Sequence, residues 1–178
     1  MSGPLSDPEF LAGLRPVPSG LVGQPIPWPA VDLEGVSPDG APVRIPLDNV
    51  SGSLLLAFLA TRCDGCETFW VGLGGGGPLG VVRSVEVVVV TKSPASVDPA
   101  EVARLASGLG SVPVVMSDTV WAEYRVSGYP FFVLVDPVGR RVVGETVAFG
   151  MEDVQALLRA GGLTSGAAGG TEPLEPEG

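Results

Sequence analysis

The chain has two cysteines among its 178 residues, and they stand three positions apart as Cys63-Asp64-Gly65-Cys66. The apolar pattern predicts a buried strand directly before them and a helix directly after. The positive end of a helix favours the thiolate, which is the nucleophile in thiol–disulfide exchange. We therefore expect Cys63 to attack a substrate disulfide and Cys66, one turn later, to resolve the mixed disulfide.

Two other uses of this cysteine pair are weaker. A purely structural disulfide across so short a loop would constrain little of the unfolded chain and stabilise the fold little. A zinc site would need two further ligands, and the sequence has neither a third cysteine nor any histidine. The spacing therefore favours redox chemistry.

A second feature with chemical potential is Ser127-Gly128-Tyr129-Pro130, which leads directly into an apolar run from Phe131 to Val135. A proline that opens a strand is often no more than turn chemistry. If the Tyr129–Pro130 bond is cis, however, the backbone of Tyr129 would face the cysteine helix. An extended substrate segment could then pair with it as an added strand.

Composition limits the remaining functions. Hydrophobic residues make up 45% of the chain and charged residues 17%, which predicts one globular domain with a substantial core. The formal net charge of −10 argues against nucleic acid or an anionic membrane as a partner. The absence of histidine removes the commonest general base and a common metal ligand.

Proline, glycine and charge divide the chain into three parts. We predict a flexible N-terminal arm over residues 1–20, a domain over 21–162 and a disordered acidic C-terminal tail over 163–178. Neither an export signal nor a membrane-spanning run is evident, so the sequence predicts a cytoplasmic protein, or an extracytoplasmic one if an anchor is missing from this chain.

The predicted elements between these ends alternate strand and helix before closing with a hairpin and a helix. This order implies a mixed sheet covered by helices. The predictions are a hairpin within 21–49, strands at 53–60, 85–91, 112–116, 131–135 and 140–149, and four helices. The first predicted helix carries Cys66, Phe69, Trp70 and Leu73 and is ended by Gly74 to Gly77. The second is capped by Asp98 and has Val102, Leu105 and Leu109 on its apolar face. The third is capped by Ser117-Asp118 and carries Val120, Trp121 and Tyr124, and the fourth covers 151–160.

Over about residues 21–160 the sequence resembles thioredoxin-like disulfide reductases of the TlpA type. The resemblance rests on Val22-Gly23-Gln24-Pro25-Ile26-Pro27, on the approach from Leu56 to Cys63, on the CxxC motif, on the inserted strand and helix, and on Val126-Ser127-Gly128-Tyr129-Pro130. It implies an α/β, thioredoxin-like three-layer fold, with a central mixed β-sheet flanked by helices, an N-terminal β-hairpin and an inserted βα element.

The same resemblance implies roles for individual residues. Cys63 would be the nucleophile, Cys66 the resolving thiol and Pro130 a cis-proline beside them, with Arg62, Gly128 and Tyr129 contacting substrate. The Cys63–Cys66 disulfide would be the redox group, without another cofactor or metal. The expected partners of this monomer are protein or small-molecule disulfide clients and an upstream electron donor.

Three positions depart from the thioredoxin pattern. Ala57 stands six residues before Cys63, where thioredoxins place a buried aspartate; Gly65 replaces the usual proline, and Arg62 replaces an aromatic residue. Arg62 favours a thiolate at Cys63 and Asp64 opposes it.

Two alternative functions are compatible with the fold. A peroxiredoxin would place a threonine and a proline three and seven residues before its reactive cysteine, where this chain has Ala60 and Leu56. A non-catalytic binding module could use the groove beside Pro130 to hold a partner, although the retained CxxC argues against it.

Overall fold

The computed structural model describes residues 27–74 and 84–163. The predicted N-terminal arm (1–20), most of the predicted acidic tail and the glycines at 75–77 lie outside the described residues. No helix within the described ranges is long and apolar enough to cross a membrane.

Eight strands form one mixed sheet in the spatial order β1-β8-β7-β4-β5-β6-β2-β3. In chain order the strands are β1 (Trp28–Pro29), β2 (Leu33–Val36), β3 (Pro42–Ile45), β4 (Ser53–Phe58), β5 (Val85–Thr91), β6 (Val114–Met116), β7 (Phe131–Asp136) and β8 (Arg141–Val147). The helices are α1 (Glu67–Gly72), α2 (Pro99–Ala106), α3 (Asp118–Glu123) and α4 (Met151–Ala160), with a 3₁₀ turn at Leu47–Asn49.

The central strand is β4, as its continuous apolar run predicts. It pairs in parallel with β5 and antiparallel with β7, and its residues from Leu54 to Phe58 are fully buried. A strand covered on both faces needs apolar side chains at every position rather than at alternate ones. The parallel β4–α1–β5 unit brings the cysteine motif to the end of this strand.

Side-chain caps define two helix starts. The carboxylate of Asp98 accepts a hydrogen bond from the Ala100 N–H at 3.0 Å, and the hydroxyl of Ser117 accepts one from the Val120 N–H at 3.2 Å. These caps satisfy backbone donors that a helix start leaves unpaired. Both starts agree with the sequence prediction.

Helices lie on both faces of the sheet and enclose two cores, which gives the predicted three layers. One core joins alternate residues of β4 to α1, α2 and α4, and includes Leu55, Ala57, Cys66, Phe69, Val102 and Leu157. The other joins the intervening residues of β4 to α3 and the N-terminal strands, and includes Leu54, Leu56, Phe58, Trp121 and Tyr124.

The structure corrects several boundaries. Helix α1 ends at Gly72, before the glycine run that was predicted to stop it. Strand β4 stops at Phe58, β6 starts at Val114, and β8 covers only 141–147 of the predicted 140–149. Strand β1 and the 3₁₀ turn were not predicted. The hairpin β2–β3, strand β5 and helix α4 lie as predicted.

Candidate functional site

Cys63 and Cys66 are joined in a disulfide at the C-terminal side of β4, with their Cα atoms 5.2 Å apart. Cys66 is completely buried in the core under α1, whereas Cys63 is partly exposed. The Cys66 N–H donates to the Cys63 carbonyl at 3.0 Å, which closes the turn between them. Cys63 is therefore the one of the two cysteines with surface open to solvent.

The helix after the motif starts later than predicted. Its first residue is Glu67, and Cys66 is the N-cap, so Cys63 lies in the turn that precedes the helix. The effect of a helix end falls off within about one turn, and this helix has six residues. It consequently favours the Cys63 thiolate less than a helix starting at Cys63 would.

Two aromatic side chains fix the motif against the sheet. The indole N–H of Trp70 donates to the Ala60 carbonyl at 3.3 Å and ties α1 to the segment leaving β4. The ring of Phe69 packs edge-on against Phe132 of β7, with centroids 4.9 Å apart. The predicted apolar stripe on α1 thus holds Cys66 in a rigid setting.

Pro130 lies directly beside the motif. Its ring is buried, and a Cβ built on Gly65 would be 3.6 Å from Pro130 Cδ. The Tyr129–Pro130 bond is cis, and the Tyr129 side chain is 48% exposed. Gly128 precedes it on the same loop. The structure therefore brings Tyr129 and Pro130 to the cysteine turn.

A groove with a volume of about 370 Å³ runs between the segment before Cys63 and the start of α2. Its lining residues come from three parts of the chain and are Ala60, Thr61, Arg62, Lys92, Ser96, Val97, Asp98, Glu101 and Tyr129. Two of the predicted substrate contacts, Arg62 and Tyr129, line this groove.

Lys92 connects the groove to the core. Its ammonium nitrogen lies 4.5 Å from the ring centroid of Trp121 and 3.9 Å from a carboxylate oxygen of Asp118. A hydrogen bond from the Ser93 hydroxyl holds the pKa of Asp118 below its usual value, so this carboxylate stays charged opposite Lys92. The Trp121 ring in turn packs edge-on against Tyr129 at 5.9 Å.

Several solved structures share this architecture. A thiol:disulfide interchange protein of the thioredoxin family from Chlorobium tepidum superposes with a TM-score of 0.55 at 21% identity, covering 68% of this chain and 86% of its own. A thioredoxin-like protein from Aeropyrum pernix superposes with a TM-score of 0.58 at 16% identity, covering 72% of this chain and 89% of its own. The chain has a thioredoxin-like fold.

A secreted Mycobacterium tuberculosis disulfide oxidoreductase homologous to DsbE of E. coli has the same thioredoxin-like fold. It gives a TM-score of 0.54 at 19% identity, covering 74% of this chain and 96% of its own. No family model matches the chain, and no curated protein matches it in sequence.

Ala57, six residues before Cys63, lies in the same apolar core as Cys66. Within the described residues the buried polar side chains are Thr91 and Ser117, so no carboxylate is buried there. No group of His, Cys, Asp or Glu side chains in the described ranges is arranged to hold a metal ion.

Sequence reasoning missed two charged residues of this candidate site. Lys92 and Glu101 line the groove, and Glu101 lies 3.8 Å from the Arg62 guanidinium. Lys92 follows β5 directly and is the single lysine of the chain. Residues that follow adjacent parallel strands meet at one sheet edge, so the position of Lys92 after β5 was the available signal.

Proposed function

We propose that this chain is a thiol–disulfide oxidoreductase, and more narrowly a protein disulfide reductase of the TlpA type. The observation that carries the proposal is the asymmetric disulfide, in which a partly exposed Cys63 and a fully buried Cys66 lie beside Pro130. The fully buried Cys66 cannot reach a client, so we assign the attack on the client to the partly exposed Cys63.

The reaction starts from the reduced pair. The Cys63 thiolate attacks one sulfur of a client disulfide, a mixed disulfide forms, and the other client sulfur leaves as a thiolate. Cys66 then loses its proton and attacks the Cys63 sulfur, which expels the second client thiolate and closes the Cys63–Cys66 disulfide. The client gains two electrons, and the chain is oxidised by the same two.

An upstream dithiol must return those electrons before another cycle. We propose protein disulfides as clients, with the backbone of Tyr129 pairing with the client segment and Arg62 and Gly128 flanking it. The described residues contain no buried carboxylate to accept the Cys66 proton. We therefore propose that this proton passes to solvent or to the leaving client sulfur.

Reduction of insulin in the presence of dithiothreitol tests the proposal. The wild-type chain should accelerate insulin precipitation, and Cys63→Ser should lower the rate to that of dithiothreitol alone. Cys66→Ser keeps the accessible thiol and should accumulate mixed disulfides instead of turning over. Equal activity of wild type and Cys63→Ser would refute the redox assignment.

A further inference from the structure

The thioether of Met151 packs on the end of the cysteine helix. Met151 is the first residue of α4, and Gly72 is the last residue of α1. A Cβ built on Gly72 would lie 3.3 Å from the Met151 sulfur and 3.6 and 3.9 Å from its Cγ and Cε atoms. The sulfur is the nearest of the three, so the lack of a side chain at Gly72 leaves the space that the thioether occupies.

The contact with Met151 is one of those that hold α1 in place. Met151 packs against the buried core that contains Cys66, Phe69 and Leu73. Helix α1 has six residues, and a helix this short depends on packing for its position rather than on its own stability. A change in the Met151 side chain therefore acts on the helix that Cys66 caps.

The backbone that carries Met151 has little freedom to move. The Phe149 and Gly150 N–H groups donate to the Asp153 carboxylate at 2.7 and 3.2 Å, which joins the segment before α4 to its first turn. A larger or more polar group at the Met151 sulfur must consequently be accommodated by rotation of the side chain or by displacement of α1.

Met151 is also the more accessible of the two described methionines. Met116 is 1% exposed and Met151 is partly exposed, whereas Met1, the third methionine of the chain, lies outside the described residues. While the Cys63–Cys66 disulfide is formed, neither cysteine has a thiol, so the thioethers are the sulfur atoms left to react with a peroxide. Hydrogen peroxide is uncharged, so the net charge of −10 does not repel it.

We propose that Met151 is a reversible oxidation site, and that its sulfoxide loosens α1 and slows the step carried out by Cys66. The Met151 sulfur attacks one oxygen of hydrogen peroxide, and the S–O bond forms as the O–O bond breaks. The proton on the transferred oxygen passes to the departing hydroxide, which leaves as water. The sulfur is oxidised by two electrons, and the peroxide is reduced by the same two.

The sulfoxide of Met151 is unsuited to the contact with Gly72. A thioether is apolar, whereas a sulfoxide oxygen accepts hydrogen bonds and is unfavourable to bury without a donor. The oxidised side chain therefore turns towards solvent, and α1 loses its contact at Gly72. The slower exchange rests on the proposed function, whereas the oxidation and the loosening of α1 do not.

The test treats the disulfide form of the full chain with hydrogen peroxide. Mass spectrometry of its peptides should locate one added oxygen on Met151 and none on Met116. After reduction with dithiothreitol, the mixed disulfide with insulin should be resolved about fourfold more slowly than in untreated protein, the factor that corresponds to loss of one buried methylene contact. Alkylation of Cys63 by iodoacetamide should keep its rate, because Cys63 lies in the turn before α1. Methionine sulfoxide reductase should restore the rate of resolution.

Met151→Leu is the matched control, because leucine conserves the apolar volume and has no sulfur. This variant should resolve the mixed disulfide at close to the wild-type rate and should not respond to peroxide. Met116→Leu removes the buried methionine instead and should stay as sensitive to peroxide as wild type.

Four results would overturn the site. They are a Met151 that stays unmodified under peroxide, an unchanged rate of resolution after Met151 is oxidised, a loss of rate that the reductase does not reverse, and an equal loss in treated Met151→Leu. Untreated wild type that reduces no insulin would instead refute the proposed function. In that case the urea midpoint of the disulfide form still decides the proposal, since it should fall on oxidation in wild type and not in Met151→Leu.

Discussion

Gly65 lies in van der Waals reach of Pro130: a Cβ built on Gly65 would be 3.6 Å from the Cδ atom of the proline ring. The cysteine turn and the loop before β7 therefore meet at this contact, between two residues that are 65 positions apart. Space for one methyl group remains there without displacement of either segment.

Gly65→Ala should consequently stabilise the protein. Gly65 does not adopt the left-handed backbone conformation that favours glycine. Removing its freedom in the unfolded chain should raise the free energy of unfolding by about 0.5 kcal/mol. Urea denaturation of the oxidised protein measures the change.

Gly52→Ala is the contrasting variant. Gly52 has a φ of +88°, and an added Cβ would collide with the Ser84 backbone. The free energy of unfolding of the Gly52→Ala protein should fall by about 1 kcal/mol or more. If the two alanine variants changed stability alike, the local geometry described for Gly65 would be wrong.

The ionisation of Asp32 makes the free energy of unfolding depend on pH in the acid range. Its carboxylate accepts hydrogen bonds from the Leu47 N–H at 3.1 Å and from the Arg140 guanidinium at 2.8 Å, and these hold its pKa below the usual value of 3.8. Because the pKa of Asp32 is lower in the folded state, its charged form contributes fully to the free energy of unfolding above pH 3.8. This contribution is lost as the pH falls through the folded-state pKa.

Asp32→Asn should therefore lower the free energy of unfolding by about 1 kcal/mol at neutral pH and by less near about pH 2. Urea titrations of both proteins at the two pH values measure this convergence. A difference that stays constant with pH would show that the charge of Asp32 does not contribute. Redox activity at neutral pH serves as the control, because Asp32 lies outside the groove.

Tyr124 links α3 to the segment before β2. Its hydroxyl donates to the Val31 carbonyl at 2.7 Å, and burial raises its pKa to about 12. Tyr124→Phe should lower the free energy of unfolding by about 1 kcal/mol at neutral pH, because the partly buried Val31 carbonyl loses its donor.

The raised pKa of Tyr124 also gives an alkaline signature. The protonated Tyr124 hydroxyl contributes fully to the free energy of unfolding below its unfolded-state pKa of 10.0, and this contribution is lost as the pH rises towards the folded-state pKa of about 12. Wild type should therefore lose its stability advantage over Tyr124→Phe in that interval, as followed by urea denaturation of the oxidised protein. An advantage that persists unchanged above it would contradict this account.

Much of the fold was predictable because local signals agree with the packing. Three elements are each defined by their own residues. They are α2 by the cap of Asp98 with Pro99, β5 by its valine run and α4 by its apolar face. The three-layer arrangement follows from these elements, since a strand that is apolar throughout must be covered on both faces.

Other features depend on contacts that sequence patterns do not contain. Strand β1 has two residues, one of them proline, and exists through pairing with β8 more than a hundred positions later. Arg140 has a φ of 45°, and β8 begins one residue later than predicted, at Arg141. The exposure of Phe149 was not predicted, because the sequence pattern placed this residue within a strand over 140–149.

Within the site, the motif residues were the predictable part. Cys63, Cys66, Tyr129 and Pro130 come together in the structure, and the disulfide expected of the pair is formed. The contacts of Lys92 with Trp121 and Asp118 join the end of β5 to helix α3, so no local spacing could indicate them. The roles of these residues in substrate binding stay predictions.

The central claim is that Cys63 alone makes the covalent bond to a client. Mass spectrometry of each single cysteine variant, after incubation with a peptide disulfide, tests this claim directly. Cys66→Ser should carry the peptide as a mixed disulfide on Cys63, whereas Cys63→Ser should stay unmodified because Cys66 is completely buried. Equal labelling of Cys66 in Cys63→Ser, or no adduct on Cys63, would contradict the account.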